Sequence, residues 1–330
     1  MKKTSFSVSF LILILCAILM ISSCSTKPNE DDLVVVGHVE EFEVLYEEFR
    51  FVLLTYKQMM MDSYGDDIFD SPEKSEEYVN ILRNTVYENI TANYAVLVLC
   101  KEVGIEHTDE VLIAAVEKKL DAQIKELGGK LKYKRFLKEN HMTDGFFKFN
   151  LLVDTMQNEL FYVYTNDLEL IENEDTAIYD AIQSEFIRTQ HIYISKDNGK
   201  TYEENRASIV EAYNSIMSGA DFLSVAKTYG EDTSVDENGF YIPMGYMSDK
   251  YDSLAFELSV GEFTDIVEYE SGFYIIKRLE LDPVYVLMNF NLLKDRYQSY
   301  SFLNIIDSVN AELEFKPTEY LDTLDILTVK

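Results

Sequence analysis

Few side chains in this 330-residue chain combine reactive chemistry with a setting that would focus it. His191 stands in the apolar run FIRTQHIYIS, where alternating residues read as a half-buried strand. A histidine there can donate or accept a hydrogen bond near neutral pH, or simply be a core residue satisfied by a neighbour. Asp232 opens DTSVDENG, a run of alternating oxygen side chains. A calcium loop would need glycine at its sixth position and glutamate at its twelfth, and counting from Asp232 or Ser234 breaks that pattern. His38, His107 and His141 are scattered without HExxH spacing, so no metal site is expected. No P-loop or Ser-His-Asp signature stands out, and no cofactor is expected. The cysteines are Cys16, Cys24 and Cys100. Cys100 closes the apolar run AVLVLC and reads as a core thiol.

The elements that must hold these groups can be read from periodicity. Lys2 and Lys3 precede a 12-residue apolar run from Phe10 to Ile21, shorter than the ~20 residues a spanning helix needs, so residues 1–23 read as a signal peptide. The run ends in Ile21-Ser22-Ser23-Cys24, similar to a bacterial lipobox in which Cys24 would be cut free and lipidated. Once Cys16 has left with the signal and Cys24 is acylated, Cys100 has no partner for an internal disulfide. Residues 24–32 form a polar tether. The chain beyond the tether is too long for one small core and implies two domains.

Residues 33–39 have strand spacing, with Gly37 suggesting a tight turn. From Glu43 the pattern turns helical, and helices are expected near 78–103, from a Thr108 cap to 127, at 133–140, 145–164 and 175–184. After Asp282-Pro283, residues 286–310 read as one helix and 311–315 as a strand that could pair with 33–39. The net charge of −30 argues against nucleic acid and against electrostatic adsorption to anionic lipid, so membrane attachment would rest on acyl chains. A homodimer through the apolar-rich helical region is compatible with the sequence, although no motif specifies it.

Between residues 185 and 279 the order FIRTQHIYIS, an amphipathic segment, SGADFLSVAKTYGED, a glycine-bearing loop and GEFTDIVEYESGFYIIKRLE resembles the parvulin-type peptidyl-prolyl isomerase domain. The whole chain resembles secreted foldases of the PrsA and SurA type, including its opening VVVGHVEEFEVLYEEF. The resemblance implies an α+β architecture. A discontinuous, mainly helical chaperone-like domain (33–183 with 283–330 packing back) would carry an inserted parvulin domain (184–282), a four-stranded antiparallel sheet surrounded by helices. It implies a catalytic group of His191, Asp232 and Tyr274, with Met247, Tyr251 and Ser271 toward the substrate. Tyr274 stands where the family has a second histidine, and Tyr251 where it has phenylalanine. The partners implied are unfolded exported polypeptides outside the cytoplasm.

Isomerising an X-Pro bond needs no nucleophile, metal or cofactor, only a site that binds the twisted amide better than the planar one. The departures leave a second reading, a binding-only chaperone with a degenerate parvulin domain. A third reading, a surface lipoprotein with a specific partner, has no motif behind it.

Overall fold

The structure, a computed structural model, describes residues 33–70, 75–269 and 271–329. The expected signal peptide, Cys24 and most of the tether lie outside the described residues. The chain divides into two compact units, one of residues 1–169 with 302–330 and one of residues 170–301.

The first unit is mainly helical. Its small sheet has the order β2-β1-β7, all antiparallel, from β1 (Val35–Val39), β2 (Phe42–Leu45) and β7 (Phe315–Pro317). Gly37 lies inside β1, not at a turn. A Cβ there would sit 2.2 Å from the Phe315 ring and 2.9 Å from the Lys316 carbonyl, so close strand approach is what demands glycine. The turn falls instead at Glu40, whose φ is 50°. Residues 43–45, expected to open a helix, belong instead to β2 and pair with β1, and α1 begins at Tyr46 (Tyr46–Tyr64). Then come α2 (Ser75–Glu102), α3 (Glu110–Glu126), α4 (Lys130–Glu139) and α5 (Asp144–Tyr162), which ends in a π-helical turn, Val163–Asp167. Asp109, not Thr108, caps α3, its carboxylate accepting from the Val111 amide at 2.7 Å. Leu82, Val86, Ile90, Val153, Met156 and Leu160 are buried in this unit. Cys100 is buried as well, its thiol pushed up to about 12 by burial first and by Glu159 second, so it stays protonated and unreactive.

The second unit runs through α6 (Asp175–Glu185), β3 (Ile187–Ser195), α7 (Tyr202–Met217), α8 (Phe222–Tyr229), β4 (Phe240–Ile242), α9 (Asp249–Glu257), β5 (Val267–Glu268), β6 (Gly272–Leu279) and α10 (Pro283–Met288). The helix expected over 286–310 is two: α10 ends at Met288 with Asn289 as its C-cap, and α11 (Phe290–Asn310) continues past the unit boundary. The four strands form an antiparallel sheet of order β4-β3-β6-β5. The fold is α+β, with this sheet inserted into a discontinuous helical unit.

Strand alternation sorts the sheet's faces. Ile192, Ile194, Phe273 and Ile275 pack with Ile209, Phe222 and Val225 of α7 and α8. On the opposite face Ile187 and Ile276 pack with Ile242 and with Tyr251 and Ala255 of α9. A capping box, Thr201 with Glu204, starts α7. Asp221 caps α8 through the Ser224 amide, which sets where the chain leaves for the Asp232 loop.

Candidate active site

His191 is on the α9 face of the sheet, in register opposite Ile276, and is only 4% exposed. Its Nε2 lies 2.9 Å from Asp232 Oδ2, and its Nδ1 lies 3.2 Å from the Tyr251 hydroxyl. The ring stacks on Phe240 with centroids 5.0 Å apart, and Tyr274 approaches edge-on at 5.6 Å.

Asp232 lies in the loop after α8, where its other oxygen accepts from the Ser234 amide at 2.8 Å and the Ser234 hydroxyl at 2.5 Å. Partial burial works to raise its pKa, but the Ser234 hydroxyl and amide and then His191 outweigh it, holding the carboxyl below its ordinary value. Burial lowers His191 below its ordinary value against the opposing pull of Asp232. At neutral pH the contact is therefore a hydrogen bond from a neutral imidazole to a carboxylate rather than an ion pair.

Tyr251 is 2% exposed, and its hydroxyl also meets Thr189 Oγ1 at 3.1 Å. Burial, the largest influence, keeps it protonated far above neutrality. Tyr274 is half-buried between Tyr193, at 4.6 Å, and Tyr269, at 4.8 Å. Met247 packs half-buried beside the Tyr251 cluster. The loop before α9 is held by the buried Asp252, whose Oδ2 accepts from the amides of Gly245 at 2.9 Å and Met247 at 3.0 Å. Ser271 opens the turn into β6, and its carbonyl accepts from the Tyr193 hydroxyl at 2.9 Å.

The site residues read from sequence thus converge at His191, Asp232, Tyr251 and Tyr274, with Met247 against the same cluster and Ser271 reached through Tyr193. Sequence reasoning missed Thr189, Phe240 and Asp252. Thr189 was within reach, since period-two alternation places it on the face of His191. Phe240 and Asp252 come from other elements, and no local pattern announces them. Among the described residues no group of three or more His, Cys, Asp or Glu side chains is placed to hold a metal.

What remains is an aromatic-walled corner with a neutral imidazole, a carboxylate and several hydroxyls. Such a corner can surround a proline ring and offer hydrogen bonds to an amide, without a covalent step. The PPIC-type PPIASE domain matches residues 179–281. The chain is 26% identical over 275 residues to the foldase protein PrsA of Caldanaerobacter subterraneus subsp. tengcongensis, covering 81% of this chain and 80% of that protein. It is 32% identical over 114 residues to the foldase protein PrsA of Oceanobacillus iheyensis, covering 34% of this chain and 35% of that one. Against the crystal structure of PrsA from Bacillus subtilis the TM-score is 0.28 at 18% identity, covering 72% of this chain and 88% of that one. The chain carries a parvulin-type peptidyl-prolyl cis-trans isomerase domain. Over most of its length it is similar to that PrsA foldase.

Proposed function

We propose that this chain is a lipid-anchored foldase of the bacterial envelope that binds unfolded exported polypeptides and isomerises their X-Pro bonds. The observation that carries the catalytic half is the grouping of His191, Asp232 and Tyr274 on one face of the β3–β6 pair, beside Met247. In this reading Met247 and the aromatic wall take the proline ring, Ser271 borders the substrate, and His191 with Asp232 and Tyr274 favours the twisted amide. The working division is residues 184–282 for isomerisation and 33–183 with 283–330 for holding clients. In the helical unit, Phe42, Leu97, Ile105 and Met156 line a cleft of about 240 Å³ rimmed by Glu41 and Lys101. That size suits an apolar side chain of a client. The lipobox-like Ile21-Ser22-Ser23-Cys24 supports anchoring through Cys24, and no helix among the described residues is long and apolar enough to cross a membrane.

The test is acceleration of cis-to-trans exchange in an X-Pro peptide by the full chain, lowered in folded His191→Ala and Asp232→Ala variants. Wild-type protein that suppresses client aggregation but accelerates nothing would favour a binding-only chaperone, the reading to which Tyr251 and Tyr274 lend weight. Failure in both assays would sink both. Cys24→Ala should move the protein from the membrane fraction to the soluble one and abolish fatty-acid labelling.

A further inference from the structure

Four side chains, His191 among them, form a hydrogen-bonded series whose direction is set by chemistry. The Asp232 carboxylate can only accept, so Nε2 of His191 carries the hydrogen in their 2.9 Å bond. A buried, neutral ring then has a bare lone pair on Nδ1, which accepts from the Tyr251 hydroxyl at 3.2 Å. Having given its only hydrogen to Nδ1, the Tyr251 oxygen must accept across the 3.1 Å contact with the fully buried Thr189. Every bond points the same way: Thr189 to Tyr251, Tyr251 to His191, His191 to Asp232.

We propose that Tyr251 is a positioning residue for His191, holding the imidazole with Nδ1 satisfied and Nε2–H aimed at Asp232, and that it is not part of the wall that receives substrate. Its role rests on the reading of this corner as the isomerase centre. At 2% exposure it has almost no surface to offer a proline ring. Its ring stands at 86° to that of His191, so it meets the imidazole edge through its hydroxyl rather than its face. Phenylalanine would keep the packing against Ile187, Ile242, Ala255 and Ile276 and lose the hydroxyl, which is the donor to Nδ1 and the acceptor for Thr189. Next to it, Asp252 holds the Met247 amide, so α9 places the histidine's donor and the pocket methionine from adjacent positions.

The experiment uses the full chain with ¹⁵N-labelled histidine, the His191 signals being those lost in His191→Asn. In wild type, Nε2 should be protonated and Nδ1 should show the shift of a hydrogen-bonded imine nitrogen. In Tyr251→Phe, Nδ1 should move to the free-imine position while Nε2 stays protonated. Isomerisation should lose about tenfold in kcat with KM unchanged, the size expected for one hydrogen bond to a buried acceptor. Thr189→Val, which removes the next donor, should lower kcat less and leave KM alone.

An unchanged Nδ1 shift in folded Tyr251→Phe, or a raised KM with kcat retained, would overturn the proposal and return Tyr251 to the pocket wall. If Tyr251→Phe does not fold, a free-imine Nδ1 in the wild type overturns the proposal, and a hydrogen-bonded Nδ1 together with the Thr189→Val kinetics supports it. If the wild type accelerates no X-Pro exchange, the isomerase reading falls. The Nδ1 shift then still decides whether Tyr251 orients His191.

Discussion

His191 is a buried base whose neutrality is maintained by desolvation against the pull of one carboxylate. Removing that carboxylate's charge in Asp232→Asn should push the His191 pKa lower still, and a histidine NMR titration reads the direction. A rise would mean that Asp232 does not favour the cation. The sign for stability is set by the lowered folded-state value: the contribution of His191 is present above its unfolded pKa of about 6.5 and is lost as pH falls through the folded value. For Asp232→Ala we expect exchange to slow by roughly tenfold to a hundredfold, since a buried ring donor loses its acceptor. Equal rates for wild type and a folded variant would remove Asp232 from the site. At this scale His191 was legible because a polar residue interrupts an apolar alternation, and Thr189 shares its face for the same reason. Phe240, stacked on the imidazole at 5.0 Å, was not legible, because β4 meets β3 only through a register that the loop between them conceals.

The elements meet most tightly where glycine lets backbones approach. At Gly272 a Cβ would sit 2.2 Å from the Ile194 carbonyl oxygen, inside the central β3–β6 pair. Backbone cannot swing aside as a side chain does, so Gly272→Ala should cost about 2 kcal/mol or more, read as a lower midpoint in denaturant. A variant as stable as wild type would show that the pair can open without loss.

In the helical unit, the first turn of α1 holds Glu47 and Glu48, both buried; Glu47 accepts from the Thr143 hydroxyl, and Glu48 accepts from the Tyr94 hydroxyl at 2.7 Å. Burial, against hydrogen bonds from Tyr94 and Asn93, raises Glu48 to about 7. A raised acid contributes stability that is intact below its unfolded value of 4.5, erodes as pH rises, and is gone above about 7. The full loss is of order 3 kcal/mol. Glu48→Gln should therefore flatten the decline in melting temperature between pH 5 and 8, and an unchanged slope would refute the assignment. Helices α1 to α5 were readable from 3.6-residue periodicity, to within a few residues at their ends. The hairpin strand β2 was not, because Phe42–Leu45 also fits the first turn of a helix, and only pairing with β1 decides between them. Gly37 misled for a related reason: its cause is Phe315, far away in sequence.

For the molecule as a whole, each compact unit has its own core, but only one depends on both ends of the chain. The clusters around Ile192, Ile178 and Tyr251 draw all their members from residues 170–301. The sheet of the helical unit, by contrast, is completed by β7, and Thr318 extends the pairing through its amide to the Val36 carbonyl at 2.8 Å. Phe315, Leu321, Ile326 and Val329 are all buried beyond the end of α11. At about 1.5–3 kcal/mol for each large apolar side chain buried, removing residues 311–330 withdraws an amount comparable to the 5–15 kcal/mol that holds a domain folded. The expected result is a chain in which α1 to α5 lose amide protection while β3 and β6 keep theirs. On the proposed division of labour, X-Pro exchange should survive in that chain and suppression of client aggregation should fall. Hydrogen exchange followed by peptide mapping reads both units in one experiment. Retained protection across α2 and α5 would show that the helical unit closes without β7, and loss of protection in β3 and β6 would show that the isomerase core leans on the C-terminal segment.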